Sequence, residues 1–88
     1  MDKLVKVVDE RFVGNDNQGN PRSEYLDRIS KMADEELFNE TDSKIWLSAF
    51  VANNPRSDYH WHVDALYLEC KKRPGDIYQK AYDQAFKR

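Results

Sequence analysis

Ser57–Lys72 reads SDYHWHVDALYLECKK, and the direction in which its tryptophan faces decides how the rest of the chain must be arranged. Ser57 is a good N-cap and Asp58 in the first turn suits the helix dipole, so the stretch reads as a helix from Asp58 to about Lys72. At about 100° per residue, Tyr59, Val63, Leu66, Tyr67 and Cys70 gather on one side, with Trp61, Ala65 and Leu68 nearly opposite. The first set is assigned to the core. A small interior has room for one such face, so the second must be covered by the N-terminal segment or by a partner. The partner is the reading taken, because aromatics beside leucine on a rigid helix are what binding hot spots are made of.

Upstream, Ser43–Asn53 carries Ile45, Trp46, Leu47, Ala49, Phe50, Val51 and Ala52 with almost no polar side, which predicts a helix enclosed by the others, ended by Asn53-Asn54-Pro55. Tyr25, Leu26, Ile29, Met32 and Ala33 form the stripe of an amphipathic helix beginning at Ser23. Asp34 caps a short turn through Phe38, and Asn39-Glu40-Thr41-Asp42 loosens or breaks the pattern. Downstream, Pro74-Gly75 stops the central helix. Asp76 caps a last one bearing Ile77, Tyr78, Ala81, Tyr82, Ala85 and Phe86 at helical spacing. The first thirteen residues are rich in β-branched side chains and read as a strand or extended arm, followed by a flexible, breaker-rich loop, GNDNQGNP, from Gly14 to Pro21. The expected fold is therefore mainly α, a compact bundle of four to five short helices spanning 23–88, with an arm and loop over 1–22.

Eighty-eight residues make one domain whose stability is marginal, so a partner or a second copy would help; homo-oligomerisation stays open. A single cysteine, Cys70, excludes an intrachain disulfide and a paired-cysteine zinc site. No segment has the apolar length of a signal peptide core or a membrane span, so the expectation is a cytoplasmic protein without a membrane partner. The net charge of −2 divides into −4 over residues 1–44 and +2 over 45–88, a modest split that is the size of ordinary surface variation and otherwise favours head-to-tail contacts or a basic partner for the acidic half.

Candidate chemistry is thin. His60 and His62 point about 200° apart on a helix and cannot chelate one metal from the same face. Asp58 with His62, and His60 with Asp64, are instead spaced as capping or surface ion pairs. His62 flanked by Asp58 and Glu69 is a weaker candidate for a divalent ion, and Cys70 reads as inert packing rather than a nucleophile. No phosphate loop, serine elbow or zinc-protease motif occurs, so neither an enzyme nor a cofactor is expected. Arg56, Lys71, Lys72 and Arg73, with Lys87, suggest a DNA-binding helix pair as the alternative, although a pI of about 5.6 is far from a basic footprint.

The run NPRSDYHWHVDALYLECKKRPGDIYQKAYDQAF, Asn54 to Phe86, resembles the C-terminal part of small uncharacterised proteins encoded by phages and prophages. That resemblance implies a short, acidic accessory protein that binds and inhibits host machinery, including defence complexes, and it carries no assigned site residues. The expected function is a non-enzymatic protein-interaction module of this inhibitor or adaptor type. Trp61, Ala65 and Leu68 would make the contact, with Asp34, Glu35 and Glu36 of the acidic 34–42 run steering the partner.

Overall fold

The computed structural model describes residues 10–87. Four α-helices make up the bundle: α1, Arg22–Ser30; α2, Asp34–Trp46, continued by a π-helical turn, Leu47–Val51; α3, Asp58–Lys71; and α4, Ile77–Phe86. A single 3-10 turn, Glu10–Phe12, precedes them. Most of the expected strand lies in residues 1–9, outside the described residues, and its remainder is that turn. Among the described residues the one β-type pairing is an isolated bridge between Asn15 and Pro21.

The loop from Gly14 to Pro21 holds a defined shape through its own polar groups. Asp16 Oδ1 accepts from the backbone N–H groups of Gln18 and Asn20, each at 2.9 Å, and Gly19, at φ 89°, donates to the Asp16 carbonyl at 3.0 Å. Asn17 then ties the loop to α3: its N–H donates to the Asp58 carboxylate at 3.1 Å and its side-chain amide to the Arg56 carbonyl at 3.0 Å.

α2 is one helix where the sequence suggested two pieces. Thr41 is fully enclosed, and its hydroxyl donates to the Leu37 carbonyl one turn back at 2.7 Å, so this weak helix former is satisfied inside the helix. Leu37, Thr41 and Ile45 then form an unbroken buried row. The most extensive packing in the molecule is between α2 and α4, where the inner row of α4 is Ile77, Ala81 and Ala85. The turn into α4 uses Gly75 at φ 98° and Asp76 at φ 53°; Asp76 offers no side-chain cap, and its carbonyl instead accepts from the Lys80 N–H.

α3 is turned from the expected orientation: Leu66 and Cys70 are in the core as expected, but Trp61 and Ala65 join them and Tyr67 does not. Its buried residues are Trp61, Ala65, Leu66, Glu69 and Cys70, whereas Tyr67 is 44% exposed and Leu68 is 37% exposed. Trp61 is only 6% exposed because the chain before α2 folds over it. Tyr25 of α1 meets the indole edge-on at 5.5 Å, Phe12 does so at 6.4 Å, and the Arg22 guanidinium lies over its face at 5.0 Å. The indole N–H donates to Asp58 at 2.9 Å. Leu66 and Cys70, on the other flank, join Leu37 and Ile77 in the core.

Arg73, just past α3, pins two helix ends together. Its guanidinium donates to the Met32, Ile29 and Ser30 carbonyls at 2.6, 3.2 and 3.3 Å, satisfying acceptors at the end of α1 and in the turn that follows it. It also pairs with Asp34 at 3.0 Å and with the buried Glu69 at 3.1 Å.

Two outcomes follow. Trp61→Ala should lower unfolding free energy by about 3–5 kcal/mol in a urea titration, since it empties an enclosed aromatic site. Arg73→Lys should cost about 2–4 kcal/mol rather than being silent, because an ammonium cannot replace a fork that satisfies carbonyls and carboxylates at once.

Candidate functional site: an exposed aromatic ridge

Six rings run in a continuous chain across one side of the bundle: Trp46, Phe50, Phe86, Tyr82, Tyr78 and Tyr67, with successive centroids 6.1, 5.2, 4.6, 6.3 and 5.0 Å apart. Two local features build it. On α4, Ile77, Ala81 and Ala85 form the inner row; in the row beside it Tyr78 is partly buried against the core, while Tyr82 and Phe86 are left exposed. At the end of α2 the widened π-helical turn, closed by the Ala52 N–H on the Leu47 carbonyl at 2.9 Å, carries Phe50 onto Phe86.

Phe50 is 56% exposed, Phe86 45% and Tyr82 42%, with Val51 at 45% beside them. Ser43–Asn53 is thus not the enclosed helix its composition suggests. Isolated exposed apolar residues are ordinary, but a contiguous run of them on rigid helices is the signature of a contact surface. Burial pushes the Tyr78 hydroxyl above its usual range, with Tyr82 adding to the effect.

A second feature is a polar cleft of about 590 Å³ where the 16–21 loop, α1 and the start of α3 meet. His62 lines it, stacked on Tyr25 at 4.0 Å and edge-on to Trp61 at 4.3 Å. Its Nδ1 is enclosed without a hydrogen-bond partner. Burial, reinforced by the nearby Lys44 ammonium, depresses its pKa from 6.5 to about 4, so the ring is neutral at pH 7. Behind it, the Tyr25 hydroxyl donates to Glu40 at 2.6 Å and Lys44 pairs with the same carboxylate. Burial raises the Glu40 pKa, but the bonds from Lys44 and Tyr25 outweigh it and leave the carboxyl below its ordinary range. These groups are engaged with one another, and they brace α1 against α2.

The residues singled out from sequence are placed as follows. Trp61 and Ala65 are core, so the expected contact face is overturned: α1 and the 3-10 turn cover it, and Leu68 alone of the three is exposed. Asp34 is held by Arg73, Glu36 accepts from the Ala33 N–H at 2.9 Å to cap α2, and Glu35 is exposed. The acidic run is therefore largely used within the chain. Arg56, Lys71 and Lys72 are exposed, but Lys71 lies over the Tyr67 ring at 5.2 Å, and Arg73 is committed to α1. Of the expected histidine pairs neither forms: Asp58 takes the Trp61 and Asn17 N–H groups, Asp64 faces Arg11 at 3.7 Å, and His60 shares a 2.6 Å hydrogen bond with Ser48.

Cys70 is buried 3.6 Å from the Thr41 hydroxyl, and burial raises its thiol pKa. Among the described residues no three His, Cys, Asp or Glu side chains converge as metal ligands, and no helix is long and apolar enough to cross a membrane. Helical spacing alone does not reveal the ridge, because both rows of α4 are apolar and either could face the core. The signal was present in that helix: its apolar arc is two rows wide, and the bulkier row need not be the inner one.

His62 must gain a proton on unfolding anywhere between its ordinary pKa and its folded one. Stability is therefore expected to fall as pH drops from about 6.5 towards about 4. Glu40 acts in the same sense, losing its contribution as pH falls through its depressed folded pKa. In melting curves taken across this range, His62→Phe should show a shallower decline than the parent chain, and the His62 ring should titrate near pH 4 by NMR.

Compared with protein-family models, with curated proteins and with solved structures, the chain gave no match.

Proposed function

We propose that the chain is a non-enzymatic protein-interaction module whose contact surface is the ridge formed by Phe50, Val51, Phe86, Tyr82, Tyr78 and Tyr67. The observation that carries this is the contiguity of its exposed rings. Three aromatic side chains more than two-fifths exposed, Phe50, Phe86 and Tyr82, touch one another in sequence on two braced helices. Tyrosine and phenylalanine on a preorganised scaffold supply large contact area at small cost in side-chain entropy, which is why such residues dominate binding hot spots.

The finer reading is an inhibitor or adaptor of the phage-accessory kind, acting on host machinery in the cytoplasm. It is supported by the resemblance of residues 54–86, the stretch that contains Tyr67, Tyr78, Tyr82 and Phe86. The acidic run contributes less to partner steering than its sequence suggests, since Asp34, Glu36 and Glu40 have partners within the chain. The DNA-binding alternative loses Arg73 for the same reason.

The double variant Phe50→Asp, Phe86→Asp should keep its far-UV circular dichroism while losing about 1–2 kcal/mol of stability per site, because each ring is about half covered. It should also fail to retain the proteins captured from host extract by the parent chain. Capture that is indifferent to both substitutions would remove the ridge from the binding surface.

A further inference from the structure

We infer that residues 10–30 form a hinged cap on α3 that opens in mild acid, triggered by a proton on His62, while α2, α3 and α4 stay packed together. Packing divides the chain unevenly. α2 has its most extensive contact with α4 and also packs on α3, whereas α1 and the turn before it pack chiefly on α3. α1 buries only Tyr25 and Ile29, and local opening follows the elements with the fewest buried apolar groups. The pivot is the 31–33 turn, where Arg73 keeps its hold on the Ile29, Ser30 and Met32 carbonyls.

Away from that pivot, the described polar links between cap and core end mostly on carboxylates. The Asn17 N–H donates to Asp58 at 3.1 Å, the Tyr25 hydroxyl donates to Glu40 at 2.6 Å, and Arg11 faces Asp64 at 3.7 Å. The Asn17 side-chain amide on the Arg56 carbonyl, at 3.0 Å, is the neutral one. Under the cap the His62 ring is stacked on Tyr25 at 4.0 Å, with Trp61 edge-on at 4.3 Å and Tyr59 at 6.3 Å.

His62 Nδ1 is enclosed with no hydrogen-bond partner. A neutral imidazole tolerates one bare nitrogen, but an imidazolium carries two N–H donors, and one of them would then be enclosed without an acceptor. The charged groups around the ring are Arg28 and Glu24 of α1, Lys44 and Glu40 of α2, Asp58 of α3 and Asp16 of the loop. Glu40 is already taken by Lys44 and Tyr25, and Asp58 by the Trp61 and Asn17 N–H groups, so the new charge meets two cations and no released carboxylate. Lifting α1 removes Tyr25 from the ring and lets water solvate both nitrogens. The lowering of the His62 pKa from 6.5 to about 4, by burial and then by Lys44, agrees in direction. A group whose pKa is depressed in the closed state binds its proton more tightly in the open one, so opening grows easier as pH falls below about 6.5.

Native-state hydrogen exchange of the full chain, followed by NMR and corrected for intrinsic chemistry, tests the inference. At pH 7 the α1 amides and the Trp61 indole N–H should share one level of protection, roughly ten-fold or more below that of α2 and α4. Between pH 7 and pH 5 that level should fall about ten- to twenty-fold, the ratio that follows from 6.5 in the open state and about 4 in the closed one. Glu40 adds little in this window, because its carboxyl, held below its ordinary range when closed, takes up its proton lower down. His62→Phe should keep the two levels of protection and flatten the pH response to about two-fold or less, as expected when the titrating ring is gone. His62→Gln makes the same comparison where the phenylalanine variant does not fold. Three results would overturn the inference: α1 protected as strongly as α2 and α4 throughout, α1 protection unchanged between pH 7 and pH 5, or a pH response that survives removal of the imidazole.

Discussion

The indole of Trp61 is the contact shared by α1, the N-terminal turn and the loop where they close over α3. Tyr25 from α1 and Phe12 from the N-terminal turn pack against it edge-on, and Arg22 lies across its face. Its N–H is taken by Asp58, whose carboxylate also accepts the Asn17 N–H of the loop. Because one side chain satisfies apolar, cationic and hydrogen-bonding neighbours together, α1 and the loop close over α3 and the interior on that side is complete. Arg73 performs the matching task at the other end, where one guanidinium holds the carbonyls ending α1, the start of α2 and Glu69 of α3.

That enclosure has a consequence on the far side of the molecule. A chain of 88 residues has little interior, and Trp61, Tyr25 and the Leu66–Cys70 flank of α3 fill much of it. α4 packs Ile77, Ala81 and Ala85 inward, Tyr78 is partly buried against the core, and Tyr82 and Phe86 are turned outward. The π-helical turn then extends the exposed row by placing Phe50 on Phe86. The exposed rings are thus carried on helices whose inner rows are packed against one another.

Polar residues tell a parallel story. The carboxylates of the 34–42 run that resemble a free acidic surface in one dimension mostly have partners within the chain: Asp34 on Arg73, Glu36 on the Ala33 N–H, and Glu40 on Tyr25 and Lys44. His62, which sequence spacing pairs with Asp58, is stacked on Tyr25 and kept neutral by burial. Each carboxylate had several cationic or N–H partners within reach in principle, and which one it meets depends on helix-to-helix placement.

The sequence by itself determined the helical class, the helix starts near Ser57 and Asp76, the stop at Pro74-Gly75 and the amphipathic stripe of α1, because caps, breakers and 3.6-residue periodicity act over a few neighbouring residues. It also contained the fact that one helix carries two apolar faces while the interior accepts one. Which helix that is, it did not contain. Trp61 and Ala65 went inside and Tyr82 and Phe86 stayed out because burial depends on what the other helices bring to each side, and the Tyr25, Phe12 and Arg22 cluster that encloses the indole is assembled from segments up to about fifty residues away. Thr41 shows the same limit: a weak helix former by local preference, it is a buried helical residue because Leu37 and Ile45 on the same row face the core.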